Sequence, residues 1–282
     1  MSDRSPAMQE HWIETPQGRV HAAQWGAAGH HGEPAPIVLL HDSLGCIALW
    51  RSFPAKLAEA TGRQVIAYDR LGYGRSDPYP GTLPLSFIDD EAHGTFRCVR
   101  DALGFERFTL LGHSVGGSMA VVAAGHYPQA CDALITQAAQ AFAEARTRDG
   151  IHHTRQQFNE AGQMARLSKY HGEKAQWVLE AWADTWLSDA FHHWNLEAAL
   201  PRVTCPSLVI HGELDEYGSL RQPERIAELT AGVASMEILA NCGHVPHREC
   251  ENVVVSTIDA FLASQADAPA HAPPLSSPVS GD

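Results

Sequence analysis

The sequence predicts an α/β protein: a mostly parallel sheet, helices on both of its faces, and one helical insertion. Three observations predict it. Short, continuously apolar runs recur along the chain, the mark of strands covered on both faces. Helix-like stretches stand between them, and strand–helix alternation winds into a parallel sheet. From about 142 to 200 the alternation stops. There a helix-like segment carries Phe158, Tyr170, Trp177, Trp182, Trp186, Phe191 and Trp194, with no strand-like run among them.

In chain order, residues 1 to about 9 read as frayed. "HWIETPQGRVHAAQWG" (11–26) alternates around Pro16-Gln17-Gly18, which predicts a hairpin. "GHHGEPAP" (29–36) reads as a loop and "IVLLHD" (37–42) as the first buried strand. "ALWRSFPAKLAEATG" (48–62) is amphipathic and closed by Gly62, with Pro54 near its start, where a missing N–H costs nothing. "QVIAYD" (64–69) is a second buried strand, and "RLGYGRSDPYPGTLP" is a Gly- and Pro-rich loop. "FIDDEAHGTFRCVRDALG" (87–104) reads as one helix stopped by Gly104. "FTLLGHSVGGSMAVVAAGH" (108–126) runs from strand directly into a helix of small residues. Further strands are expected at 132–139, 207–212 and 235–241, and further helices at 223–230 and 251–264. The Ala-, Pro- and Ser-rich end (265–282) has too little apolar surface to fold and reads as disordered. The expected core is therefore 10–141 with 201–264, and 142–200 is an excursion from it.

Composition narrows the function. The 282 residues are 44% hydrophobic and 19% charged, which suits a folded domain with a sizeable core. A net charge of −13 with no basic run speaks against nucleic-acid binding, which needs a positive footprint. The same acidity weakly favours a neutral or cationic small molecule. Six scattered cysteines with no Cys-x-x-Cys spacing read as free thiols, and neither an apolar leader nor a membrane-length run is visible. The expectation is a cytoplasmic protein acting on a small molecule, with no membrane role and an oligomeric state left open.

The chemistry centres on Gly112-His113-Ser114-Val115-Gly116, a G-x-S-x-G match at the strand–helix junction. A turn this sharp holds the Ser in a strained, left-handed conformation. It needs small neighbours two places away so that strand and helix can close in. It also sets the Val115 amide and a helix start beside the hydroxyl, where both favour a developing negative charge. The bland alternative is a glycine turn with an incidental Ser. A serine nucleophile needs a base and an orienting acid. Asp215 follows one apolar strand and His244 the next, on the sheet edge where such a turn opens. Glu213 and Glu216 compete with Asp215 on position alone, and His244 is one of 17 histidines. A second oxyanion donor is expected from the loop after strand 37–42, either the Ser43 or the Leu44 amide. His244 and His247 have no third partner at ligand spacing, so no metal is expected. The doublets His30-His31, His152-His153 and His192-His193 read as surface residues.

Together, "LLHDSLG", "YDRLGYGRSD", "LLGHSVGGSMA" and "HGELDEY…NCGHVPHRE" make the chain resemble the α/β-hydrolase-fold serine hydrolases, in their capped, esterase-like group. The likeness runs over roughly 12–264. It implies Ser114 as nucleophile, His244 as base and then acid, and Asp215 as the group that orients it. It implies Ser43 and Val115 as oxyanion donors and 142–200 as a cap whose aromatics line the acyl pocket. Leu44, His113, Trp182 and Trp186 become candidate substrate contacts, and no cofactor is implied. One departure stands out: the family usually has Gly after His41, and here it is Asp42, for which a salt bridge to Arg70 is one expected alternative. Asp69 and Arg70 are expected to pair or cap structurally, and His247 to fix its loop.

The implied function is hydrolysis of a small or medium carboxylic ester through an acyl-enzyme. Alternatives on the same fold are a thioesterase, a cofactor-free haloperoxidase-like activity and a carbon–carbon bond hydrolase, although "HDSLGC" does not match the latter's Ser-Gly-x-Gly-Pro-Gly loop. The H-G-G-G loop of many lipases is absent. Ser114 at the elbow excludes the aspartate nucleophile of dehalogenases, and no Gly-x-Gly-x-x-Gly follows the first strand. The alternative of another class is a non-catalytic ligand receptor on the same scaffold.

Overall fold

The computed structural model describes residues 8–26 and 34–266. The predicted tail beyond 266, the doublet His30-His31 and the first seven residues lie outside them. The described strands are β1 (Gln9–Thr15), β2 (Gly18–Trp25), β3 (Ile37–Leu40), β4 (Val65–Tyr68), β5 (Phe108–His113), β6 (Cys131–Gln137), β7 (Ser207–Gly212) and β8 (Ala234–Leu239). They form one sheet in the order β1-β2-β4-β3-β5-β6-β7-β8. β1 pairs antiparallel with β2, and β2 with β4; every other neighbour is parallel.

The parallel strands are apolar throughout because both faces are covered, and alternate residues serve opposite cores. Val38, Leu40, Ile66, Leu110 and Val209 face one core, while Ile37, Leu39, Val65, Leu111 and Ile210 face the other. The helices are α1 (Phe53–Thr61), α2 (Phe87–His93), α3 (Thr95–Leu103), α4 (Val115–His126), α5 (Ala145–Gln157), α6 (Gln163–His171), α7 (Ala175–Leu187), α8 (Arg221–Leu229), α9 (Pro246–Glu249) and α10 (Glu251–Ala266). The first core collects side chains of α2, α3, α4 and α8, and the second those of α1 and α10. α4 follows β5 directly and is buried from Val115 to Gly125, which is why its sequence is small and apolar all round.

Two expectations need correction. The helix foreseen over 87–104 is two helices broken at Gly94, where φ −97 and ψ −104 leave the helical region and a Cβ would crowd the Asp90 carbonyl at 2.9 Å. The four-residue α9 beyond His244 carried no periodic signal and was not foreseen. Between β6 and β7 the segment 142–200 holds α5, α6 and α7, and its only strand-like feature among the described residues is a single bridge, Phe142 to Asn195. Trp186, Phe191 and Trp194 pack on one another, with ring centroids 5.0–5.4 Å apart. They are continuous with the first core, since Phe191 also meets Phe87 of α2 at 6.0 Å between centroids. Among the described residues no helix is long and apolar enough to cross a membrane, and no group of metal-ligating side chains gathers. The six cysteines are free, although Cys131 and Cys205 approach to 3.7 Å between sulfurs.

Candidate active site

The carboxyl ends of β5, β7 and β8 deliver three side chains to one point. At the end of β5, Ser114 has φ 55 and ψ −127, a backbone conformation that costs a residue with a Cβ on the order of 1–3 kcal/mol. Its surroundings enforce it. A Cβ on Gly112 would overlap the Gly116 carbonyl, and one on Gly116 would overlap the Leu40 carbonyl. Strand and helix therefore meet closely because both residues are glycine.

The Ser114 hydroxyl donates to His244 Nε2 at 3.0 Å. His244 Nδ1–H donates to Asp215, whose two carboxylate oxygens both lie at 2.9 Å. Asp215 is fixed in turn by the Tyr217 and Gly218 amides, which donate to Oδ1 at 2.7 and 3.0 Å. The loops after β7 and β8 are bound to each other: Leu214 N–H donates to the Cys242 carbonyl at 2.8 Å. Glu249 caps the His244 loop, accepting from Gly243 N–H at 2.6 Å and Val245 N–H at 2.9 Å.

Electrostatics follow from burial and neighbours. Burial alone would lower the affinity of His244 for a proton, but the Asp215 carboxylate, with Glu216 and Asp42 further out, outweighs it, and the net direction is up. Burial would raise Asp215, but His244 and the Tyr217 amide hold its carboxyl below the usual range. His211 sits 3.5 Å from Asp215 Oδ2, fully buried, and burial lowers its proton affinity.

The turn Asp42–Gly45 closes with Gly45 N–H donating to the Asp42 carbonyl at 3.2 Å. Among the described residues no backbone carbonyl accepts from the Ser43 or Leu44 amide. The turn is braced from outside. Arg70 donates through Nη2 to the Asp42 carbonyl at 2.8 Å, and its backbone N–H donates to His41 Nε2 at 3.1 Å. His171, at the end of α6, donates through Nε2 to the Leu44 carbonyl at 3.0 Å and accepts from the Gly74 amide at 2.9 Å.

The bridge from the Asp42 side chain to Arg70 does not form. Arg70 takes the backbone carbonyl, and the Asp42 carboxylate instead faces His113, Oδ1 to Nδ1 3.8 Å. His113 Nε2–H donates to the His244 carbonyl at 2.7 Å. Asp69 and Arg70 are each structural but do not pair with each other: Asp69 accepts from the Ile47 and Arg75 amides at 2.7 and 2.9 Å. His247 is buried against Trp50, centroids 4.4 Å apart, and donates to Gln137 Oε1 at 3.2 Å.

A cavity of about 210 Å³ opens over Ser114. Of the residues singled out from sequence, Ser43, Leu44, His113, Trp182, Trp186 and His244 line it, Val115 is the first residue of α4 beneath it, and Asp215 lies behind His244. Asp42, Gln140, Thr147, Ile151, Glu216, Tyr217 and Val245 also line it and were not foreseen as contacts. Tyr217 stacks obliquely on His244 at 4.7 Å, and its hydroxyl meets the Thr154 hydroxyl at 2.5 Å. Asp42, Glu216, Tyr217 and Val245 stand inside the quoted stretches but carry no assigned contact role, and no motif or periodicity marks Gln140, Thr147 and Ile151.

A family model described as the alpha/beta hydrolase fold matches residues 35–170, the stretch that holds β3, β5, the elbow and α4. The chain is a hydrolase of the α/β-hydrolase fold. This hydrolase is 30% identical over 158 residues to human serine hydrolase BPHL, covering 54% of this chain and 53% of that one. It thus spans about half the length of that relative. To 2-hydroxymuconate semialdehyde hydrolase of Pseudomonas sp. (strain CF600) it is 26% identical over 261 residues, 85% of this chain and 90% of that one. Among solved structures it superposes on an enol-lactonase from Burkholderia xenovorans LB400 with a TM-score of 0.69 at 21% identity, covering 90% and 100% of the two chains. At that identity the last match speaks for the fold alone.

Proposed function

We propose that this hydrolase cleaves small or medium carboxylic esters through a Ser114 acyl-enzyme. The observation that carries the reading is the unbroken chain from the Ser114 hydroxyl to His244 Nε2 at 3.0 Å and from His244 Nδ1 to Asp215 at 2.9 Å. His244 takes the Ser114 proton as Oγ attacks the ester carbonyl, and the imidazolium is stabilised by Asp215. The amide of Val115, with that of Ser43 or Leu44, receives the oxyanion; such a donor is typically worth about 3 kcal/mol. His244 then protonates the leaving alkoxide. Water, deprotonated by the same imidazole, attacks the acyl carbon, and the acid leaves as Ser114 regains its proton. In this reading residues 142–200 act as a cap over a core of 10–141 and 201–264, with Trp182 and Trp186 as walls of the acyl pocket.

A carbon–carbon hydrolase is the second reading, favoured by the Pseudomonas relative, whose match spans most of both chains. The substrate in that relative's name is an acid, charged at neutral pH. The cavity here holds the Asp42 and Glu216 carboxylates and no Lys or Arg among its lining residues, which supports an ester without an acid group instead.

The test is covalent labelling with a fluorophosphonate, read by intact mass, on wild type and Ser114→Ala. One adduct on wild type and none on the variant is the expected result. A folded wild type that takes no label would overturn the reading and favour a non-catalytic receptor. Turnover of a carboxylate-bearing vinylogous diketone ahead of simple esters would favour the second reading.

A further inference from the structure

We propose that His171 is a positioning residue for the oxyanion turn: through its bond to the Leu44 carbonyl, the insertion aims the amides of 42–45 at the site over Ser114. The inference rests on the ester-hydrolase reading above. It adds a residue that reaches the chemistry from 127 positions away in sequence.

The two bonds of the His171 ring assign its proton. The ring is buried, with Nδ1 2.9 Å from the Gly74 amide nitrogen and Nε2 3.0 Å from the Leu44 carbonyl oxygen. A backbone amide only donates and a carbonyl here accepts, so Nδ1 is bare and Nε2 carries the proton. An imidazolium could not accept from Gly74, and burial lowers the proton affinity of the ring. Among the described residues no backbone amide donates to the Leu44 carbonyl, which leaves the imidazole to hold it.

Peptide planarity turns that bond into an aim. A bond to a carbonyl fixes the plane of its peptide group, and with it the direction of the N–H on the other side. Arg70 on the Asp42 carbonyl thereby aims the Ser43 amide. His171 on the Leu44 carbonyl aims the Gly45 amide, which closes the turn onto Asp42. The plane between them carries the Leu44 amide and is confined from both ends. Whichever of Ser43 and Leu44 serves as donor, its direction depends on His171.

His171 is itself fixed to the core. It ends α6, and the chain that follows is tied to the loop 70–81. Lys174 Nζ donates to the Gly74 and Ser76 carbonyls at 2.9 and 2.7 Å, and Trp177 Nε1 donates to the Gly81 carbonyl at 2.9 Å. Trp177 also covers Gly72, where a Cβ would overlap its ring, and stacks on Tyr79 at 5.4 Å between centroids. The same loop begins with Arg70, the other holder of the turn. The α6–α7 corner, the loop 70–81 and the turn 42–45 thus form one hydrogen-bonded block, and a shift of the corner moves the oxyanion amides with it.

The experiment separates the two bonds of the ring. In His171→Gln the side-chain nitrogen stands near the place of Nε2 and keeps a donor for Leu44. In His171→Asn the side-chain oxygen stands near the place of Nδ1 and keeps only the acceptor for Gly74. Each variant is assayed for kcat and KM on a short ester. Each is also titrated with a trifluoromethyl ketone, whose adduct with Ser114 places an oxyanion at the turn, and with the matching carbinol, which places none. For His171→Asn the expected result is a loss in kcat on the order of tenfold to a hundredfold, with KM within about twofold of wild type. Ketone affinity should fall by a similar factor while the carbinol is unmoved. His171→Gln should lose about threefold or less. Equal losses in the two variants, a loss carried by KM alone, or a His171→Asn enzyme as active as wild type overturns the inference. If neither variant folds, nitrogen NMR of the wild-type imidazole decides. A proton on Nε2 and a ring that shifts as the ketone adduct forms supports it; a proton on Nδ1, or a ring blind to the adduct, overturns it. Labelling of Ser114 keeps the two readings apart. A labelled wild type with unaffected variants sinks this inference alone, and an unlabelled wild type that turns over no ester sinks both.

Discussion

Two turns press on the same serine, and they are built in opposite ways. The elbow at 112–116 is fixed by exclusion: Gly112 and Gly116 leave room for backbone and nothing else, and Ser114 between them is held at positive φ. The turn at 42–45 is fixed by attachment: Arg70 and His171 hold its carbonyls from two different elements, and its side chains remain free to differ. Position is thus set by packing at Ser114 and by hydrogen bonds at the 42–45 turn. A site can change its charge at the second turn without disturbing the first, and Asp42 is such a change.

The strongest way to break the contrast is Gly112→Ala. A Cβ there meets backbone on both α4 and the elbow, which has no flexible end to move aside. The expected loss is about 3 kcal/mol of stability, at the upper end for overpacking. Denaturant melts would read it, and Ser114 labelling should fall with it. A variant as stable as wild type would show that the elbow is looser than its geometry indicates.

Acid probes the other turn. His41, at its root, is fully buried beside Arg70, and burial and that charge push its pKa down to about 3. Below pH ~6.5 the unfolded chain binds a proton there that the folded chain refuses. Its contribution is therefore present above the unfolded value and is lost as pH falls from ~6.5 towards the folded value, by about 1.4 kcal/mol per pH unit. Melts at pH 7 and 5.5 on wild type and His41→Gln should show a shallower acid loss in the variant. Equal slopes would remove His41 from the account.

The smallest effect sharpens the comparison most. In the proposed mechanism neutral His244 is the base, so kcat/KM should rise with pH through its raised pKa. Asp42 is one of the carboxylates that hold the imidazolium. Removing its charge in Asp42→Asn should move the rising limb to lower pH, by roughly half a unit, since the partner is partly solvated. A limb that stays put would mean that Asp42 acts on the substrate and not on His244.

What the sequence disclosed divides along the same line. Buried strands and the glycine elbow are legible because they impose patterns on contiguous residues: "IVLLHD" must be apolar on both faces, and Gly-His-Ser-Val-Gly must be small on both sides of Ser114. The break at Gly94 was missed because one glycine in a polar helix reads as tolerated, not as an interruption. Gln140, Thr147 and Ile151 were missed because they belong to no pattern; only the folded chain sets them beside Ser114. His171 is the plainest case. It sits 127 residues from Leu44 in sequence and bonds to its carbonyl in space.

The insertion has its own consequence. It leaves the sheet after β6 and returns at β7, and those strands are hydrogen-bonded neighbours, with Leu134 opposite Ser207. Its roots are stitched again just outside the sheet, where Leu196 N–H donates to Ala141 O at 2.8 Å and Ala143 N–H to Trp194 O at 3.0 Å. The entropy of bringing its ends together is therefore supplied by the sheet whatever lies between them, and doubling such a segment adds only ~0.6 kcal/mol. In design terms this is a socket with a fixed pin: the residues between Phe142 and Asn195 can be lengthened or shortened at little cost in closure, but an exchange that drops His171 also releases the Leu44 carbonyl it holds.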